Sequence, residues 1–171
     1  NSNSSLLARA LKDDNFKNIW NSTFNADLDS LALPNFESGE ILATRKAFGA
    51  TLDKFAEQTP LLVGGSADLE PSNYTTNFAN NYGDFAKDRR GGRNLAYGVR
   101  EFPMAAAMNG MSLHGGVIPF GGTFLVFADY ERPALRLGSI QQCGVIHEFT
   151  HDSFWVGEDG PTHQPVEHAM A

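Results

Sequence analysis

A single cysteine, Cys143, is the only thiol in 171 residues, so no internal disulfide forms and no CxxC pair is offered to a metal. That scarcity fits a reducing compartment. No apolar run approaches the roughly 18 residues of a membrane-spanning helix, and no basic, apolar leader opens the chain, so the expected location is the cytoplasm. Positive charge is also short: 13 Lys and Arg against 20 Asp and Glu give a formal net charge of -7. Such a balance excludes the basic stripe that nucleic-acid binding needs and offers nothing to an anionic membrane surface. The densest cationic stretch, Lys87 to Arg93, contains Asp88 and two glycines and is expected to be a solvated loop. What remains is a globular chain with 42% hydrophobic residues, long enough to bury roughly two thirds of its unfolded surface.

The pattern along the chain is strand, loop, helix. Residues 1–38 predict an N-terminal connecting arm with one short helix, from the loose helical spacing of Leu7, Leu11, Phe16, Ile19 and Trp20. Ser38 to Ile41 are expected to open a helix running to about Glu57, with Ile41, Phe48, Leu52, Phe55 and Ala56 on its apolar face and Pro60 as its stop. Leu61–Gly65 reads as a buried strand, followed by a polar segment to Asn94 that is long for a simple connection. Leu95–Val99 predicts another strand, and Pro103 to about Leu113 a helix with its proline in the first turn. Val117–Phe120 leads through Gly121, Gly122 and Thr123 into Phe124–Tyr130, and a second helix holds Pro133 to about Gln141. Val145–Phe149 is the last strand. Strands alternating with helices predict an α/β fold of three layers, a mainly parallel sheet with helices on both faces, over residues 39–171.

The chemistry concentrates after that last strand. Residues 150–165 bring His151, His163, Asp152, Glu158 and Asp159 together with two glycines, a mixture suited to a loop facing a ligand at the carboxyl end of a sheet. A metal site from His151, Asp159 and His163 matches no zinc spacing and has no thiolate support. Ser153 lacks the GxSxG turn of an activated nucleophile. Upstream, Glu101 sits before a helix among Phe102, Pro103, Met104 and three alanines; helix N-termini favour negative charge, and an apolar setting favours a carboxyl that keeps its proton. Phe124, Phe127 and Tyr130 recur at intervals of three, a stripe that serves either a core or a flat heteroaromatic ligand.

The wording of these segments resembles transketolases. Thr150 to Pro165 is similar to the family's THDS…GEDGPTHQP loop, Tyr97 to Glu101 to its YGxRE, Gly121 to Tyr130 to its GGTFLxFxxY, Gly64 to Asn73 to GGSADLxPSN, and Ala43 to Lys46 to ATRK. The match runs from about Ala43 to Gln164. The resemblance implies the pyrimidine-binding module of a thiamine diphosphate enzyme that passes a two-carbon ketol unit from a ketose phosphate to an aldose phosphate.

By the same resemblance Glu101 bonds N1' of the aminopyrimidine; Phe127 stacks on it; Phe124, Tyr130, Asp68 and Val99 complete the cofactor pocket. Arg45, Ser72 and His151 would hold the sugar phosphate group, Asp159 a sugar hydroxyl, and His163 would pass protons near the reacting hydroxyls, with His151 also counted among the catalytic groups. The family's diphosphate-binding domain, with its GDG motif and its magnesium or calcium ion, has no match here, so no metal ligand is assigned. It would come from a partner subunit of a homodimer, and the fragment would be inactive alone. Phe154 and Trp155 depart from the family's aliphatic residue and glycine. A stand-alone binding module, or a related thiamine enzyme such as dihydroxyacetone synthase or deoxyxylulose-phosphate synthase, is the alternative reading.

Overall fold

The computed structural model describes residues 2–25, 31–152, 157 and 159–171. Ser153, Phe154, Trp155 and Glu158 of the polar loop lie outside the described residues. None of the helices is long and apolar enough to cross a membrane among the described residues.

The arm holds two helices rather than one: α1, Ser2–Ala10, and α2, Asp14–Phe24. Asp13 divides them, because its carboxylate accepts from Phe16 N at 2.8 Å and caps a new helix. Phe16, Trp20 and Phe24 then stack one turn apart, with ring centroids 6.0 and 4.7 Å apart. Hydrogen bonds tie the arm to the segment around Gln58 and Leu61: Leu61 N donates to Thr23 Oγ1 at 3.4 Å, and the Gln58 side chain brackets the Ala32 backbone, accepting at 2.8 Å and donating at 3.0 Å.

Helix α3 spans Thr44–Gln58 and begins six residues later than the sequence suggests. Ile41 is fully exposed, not on an apolar face, and Gly39 takes a left-handed turn (φ 89°) that no helix accommodates. Three strands follow, β1 (Leu62–Ser66), β2 (Ile118–Phe124) and β3 (Ile146–Thr150), all parallel, in the order β1-β2-β3. Helices cover both faces. On one, α3 and α5 (Thr76–Tyr82) pack Leu52, Ala56 and Phe78 against Leu62 and Phe120; the rings of Phe78 and Phe120 meet edge to face at 4.8 Å. On the other, α6 (Glu101–His114) and α7 (Ala128–Ile140) cluster Met104, Ala105, Met108 and Ala134 with Ala67. Gly121 permits this closeness, since a Cβ there would lie 2.7 Å from Met108 Sδ.

Further expectations are corrected. Leu95–Val99 is not a strand: Leu95 N donates to Gly64 O at 2.9 Å, but pairing stops at isolated bridges through Asn94, and Gly98 (φ 66°) turns the backbone away. The polar segment after β1 contains α4 (Glu70–Asn73) as well as α5, both too short to show a period. Phe124–Tyr130 comprises the end of β2, a 3₁₀ turn over Leu125–Phe127 and the start of α7, inside which Pro133 falls. In the cationic stretch Arg93 is not solvated. Its guanidinium donates to the carbonyls of Leu62, Ala56 and Thr59 at 2.9–3.1 Å and lies 3.9 Å over the Tyr82 ring, so it closes the carboxyl end of α3.

Candidate functional site

The register sets the site. Phe124 pairs with Thr150, so β2 and β3 finish together, while β1 ends at Ser66 opposite Gly122; Ala67, Leu125 and His151 are released at one end of the sheet. Carboxyl ends of parallel strands are where open α/β sheets bind ligands. After β1 the backbone turns at Asp68, a non-glycine residue with φ 64°, a conformation disfavoured by about 1 kcal/mol or more and held by its surroundings. Glu101 enters as the first residue of α6, 8% exposed, where the helix N-terminus favours its charge.

These turns enclose a cleft of about 500 Å³. Asp68, Val99, Glu101, Phe127 and Tyr130 line it, with Ala67 and Leu69 completing the wall. The lining is mostly apolar with one buried carboxyl at its edge, the composition that suits a flat, weakly polar ring. Phe124 stands behind that wall and does not line the cleft: it stacks on Phe127 with centroids 5.8 Å apart, and its other neighbours are imidazoles. His151 meets it edge-on at 4.6 Å and His163 at 5.8 Å, while His163 lies 5.3 Å from the Phe127 ring.

A second cleft, also about 500 Å³, opens between the start of α3 and the end of β3, lined by Arg45, Phe48, Glu148, Thr150 and His151 among others. Arg45 Nη1 donates to the Ser72 carbonyl at 3.4 Å and approaches His151 Nε2 at 3.3 Å. Arginine only donates, so that contact makes Nε2 the acceptor and places the His151 proton on Nδ1, 3.2 Å from Thr150 Oγ1. Asp159 Oδ2 is 3.7 Å from the same Nε2 and forms an ion pair only when His151 takes a second proton. Arg45, Ser72, His151 and Asp159, separated by up to 114 residues in sequence, thus share one corner.

Sequence reasoning missed Glu148. It is 7% exposed, and Asn73 Nδ2 donates to it in a short hydrogen bond. Burial pushes its carboxyl up to about 8, against the Asn73 hydrogen bond and the Arg45 charge, which pull it down. The available signal was His147 and Glu148 inside a parallel strand, where both faces are covered and apolar residues are the rule. His147 faces the opposite layer and places Nδ1 2.9 Å from Glu131 Oε1. That approach lies outside hydrogen-bond geometry and becomes an ion pair only when His147 is protonated, and neither Glu131 oxygen has a hydrogen-bond partner among the described residues. No group of three metal-ligating side chains converges among the described residues.

The family model "Transketolase, pyrimidine binding domain" matches residues 40–171. The chain belongs to the transketolase family. It is 55% identical over 134 residues to the transketolase of Halalkalibacterium halodurans, covering 78% of this chain and 20% of that one. It is 47% identical over 154 residues to the transketolase of Treponema pallidum, covering 86% and 23%. Among solved structures, the transketolase from Leishmania mexicana superposes with a TM-score of 0.84 at 43% identity over 98% of this chain and 25% of that one. The transketolase complex with sedoheptulose-7-phosphate from Pichia stipitis gives 0.84 at 36% identity, over 98% and 26%. The chain therefore is a transketolase pyrimidine-binding domain and spans about a fifth of the length of the curated relatives it matches.

Proposed function

We propose that this domain supplies the aminopyrimidine half of a thiamine diphosphate site and the phosphate end of a sugar channel, in a transketolase that moves a two-carbon ketol unit from a ketose phosphate to an aldose phosphate. The observation that carries the reading is the convergence of Asp68, Val99, Glu101, Phe127 and Tyr130 on one cleft from three separate segments. Its volume and its apolar walls fit an aminopyrimidine ring, with Phe127 as the aromatic face and Glu101 as the one buried carboxyl able to share a proton with a ring nitrogen. Bound thiamine diphosphate supplies the electron sink for breaking and making the carbon–carbon bond. The chain's part is to orient the ring, exclude water and hold a proton at the Glu101 carboxyl.

In the adjoining corner Arg45 offers a planar donor fork, with His151 and Ser72 beside it, a set suited to the three oxygens of a phosphate monoester. Asp159 is the acceptor for a sugar hydroxyl. His163, against Phe124 and Phe127, stands between the two clefts, where an imidazole can relay protons from substrate hydroxyls. Phe124 serves the pocket from behind, by fixing Phe127 and both imidazoles. The rim is open: Val99 and Tyr130 are 74% and 66% exposed, apolar surface that the reading covers with the diphosphate-binding domain of a partner subunit in a homodimer, which would also carry the magnesium or calcium ion. Residues 1–38 would act as the arm that joins the two domains.

The test is Glu101→Gln in the full-length protein containing these residues. Ketol transfer at saturating cofactor is expected to fall by about 100-fold or more, the usual worth of a positioned acid or base. Undiminished turnover would overturn the assignment.

A further inference from the structure

Behind the Arg45 corner lies a carboxyl that the proposed phosphate site does not use. Glu148 pairs in register with Gly122, and both point to the layer of α3 and α4. The missing side chain at Gly122 makes its room, since a Cβ there would sit 2.7 Å from Glu148 Oε2 and 3.1 Å from Asn73 Cγ. Asn73 is fully buried and fixed on three sides: its Oδ1 accepts from Ser66 Oγ at 2.8 Å, and its Nδ2 donates to the Thr123 carbonyl at 3.2 Å and to Glu148. Ser72, the residue before it, gives its carbonyl to Arg45. One short run of α4 therefore ties the buried carboxyl to the guanidinium.

We propose that Glu148 is a further determinant of the anion subsite, a buried carboxyl held by Asn73 behind Arg45 and His151 that sets how tightly this corner retains a phosphate group. The inference rests on the phosphate reading of that corner. A neutral Glu148 leaves the Arg45 charge free for the incoming dianion. An ionised Glu148 shares that charge and repels the phosphate through a poorly screened path. The groups on the Glu148 side are few: Arg45 from α3, the neutral Asn73 from α4, the Gly122 backbone from β2, and His151 after β3, which lines the same cleft with Asp159 near its Nε2. His151 lines the same cleft, so its effect has to be separated from that of Glu148.

Sulfate is the suitable probe, because it stays a dianion from pH 6 to pH 9. Its binding to the 171-residue chain is followed by NMR at the Arg45 guanidinium and the His151 ring, in the parent chain and in Glu148→Gln, which keeps an oxygen acceptor for Asn73. Groups other than Glu148 act on both proteins alike as the pH rises. The ratio of the two affinities isolates Glu148: it is expected near one at pH 6 and about three- to tenfold in favour of Glu148→Gln at pH 9. Glu148→Met, matched in volume, gives the same ratio and guards against a fold-specific effect of the amide. A ratio that does not change with pH in either variant overturns the proposal while leaving the phosphate corner intact. Sulfate shifts that persist in Arg45→Ala, or no binding in the parent chain, remove the phosphate reading itself and the inference with it.

Discussion

At the residue scale, the groups with a motif around them were legible in the sequence: Glu101, Phe127, Arg45 and His151 each sit in wording that resembles a family segment. Glu148 was not, because a carboxyl in a strand acquires a face only when the register is known, and its partner Gly122 lies 26 residues away. Arg93 was misread for a similar reason; nothing local says that its guanidinium reaches three carbonyls of α3 and β1. Glu148 also bears on stability. Its folded value, about 8, lies above the ordinary 4.5, so the folded state binds the proton more tightly than the unfolded chain. The stability this contributes is complete below about pH 4.5 and is lost as pH rises through about 8. Glu148→Gln is therefore expected to be more stable than the parent at pH 9, on the order of 2 kcal/mol, with the gap closing at pH 5. Urea midpoints at the two values measure it, and equal gaps would show that the carboxyl is not strained by burial.

At the element scale, long periodic segments were readable and short ones were not. The spacing of Phe48, Leu52, Phe55 and Ala56 fits α3, and the glycine-ended apolar runs fit β1 and β2. Helices α4 and α5, with four and seven residues, offer too few turns for a period, and Leu95–Val99 carries strand-like residues without a partner to pair with. The joint between β3 and α7 is one element contact with a measurable consequence. Glu131 is fully buried, and His147 is its one ionisable neighbour within ion-pair reach among the described residues. Replacing only His147 leaves the buried Glu131 carboxyl without that neighbour, whereas replacing both partners removes the problem. His147→Phe is expected to lose about 3 kcal/mol at pH 7, and the double variant His147→Phe with Glu131→Leu to recover to within about 1 kcal/mol of the parent or exceed it. Chemical denaturation of the set decides this; an unaffected single variant would mean that Glu131 is satisfied without the imidazole.

At the scale of the whole molecule, the fold explains why residues from so many segments meet. Three parallel strands release their functional turns on the same side: Ala67 and Asp68, Phe124 to Phe127, and Thr150 with His151. The α/β class and the parallel sheet were legible from the alternation of strands and helices. The division into two adjoining clefts was not, since it depends on where the Phe124 ring sits: it stacks on Phe127 and meets His151 edge-on instead of lining the pocket. The exposed apolar rim at Val99 and Tyr130 fits a site that a second domain completes. The central claim, that the Glu101 and Phe127 cleft receives an aminopyrimidine ring and forms half of a cofactor site, is tested most directly by backbone NMR. The aminopyrimidine fragment of thiamine is titrated into the chain beside thiamine diphosphate with magnesium. The account predicts shifts clustered at Ala67, Val99, Phe127 and Tyr130, lost in Glu101→Gln, with the whole cofactor binding no more than about threefold tighter than the fragment. Shifts elsewhere on the surface, or micromolar binding of the cofactor by this chain alone, would contradict it.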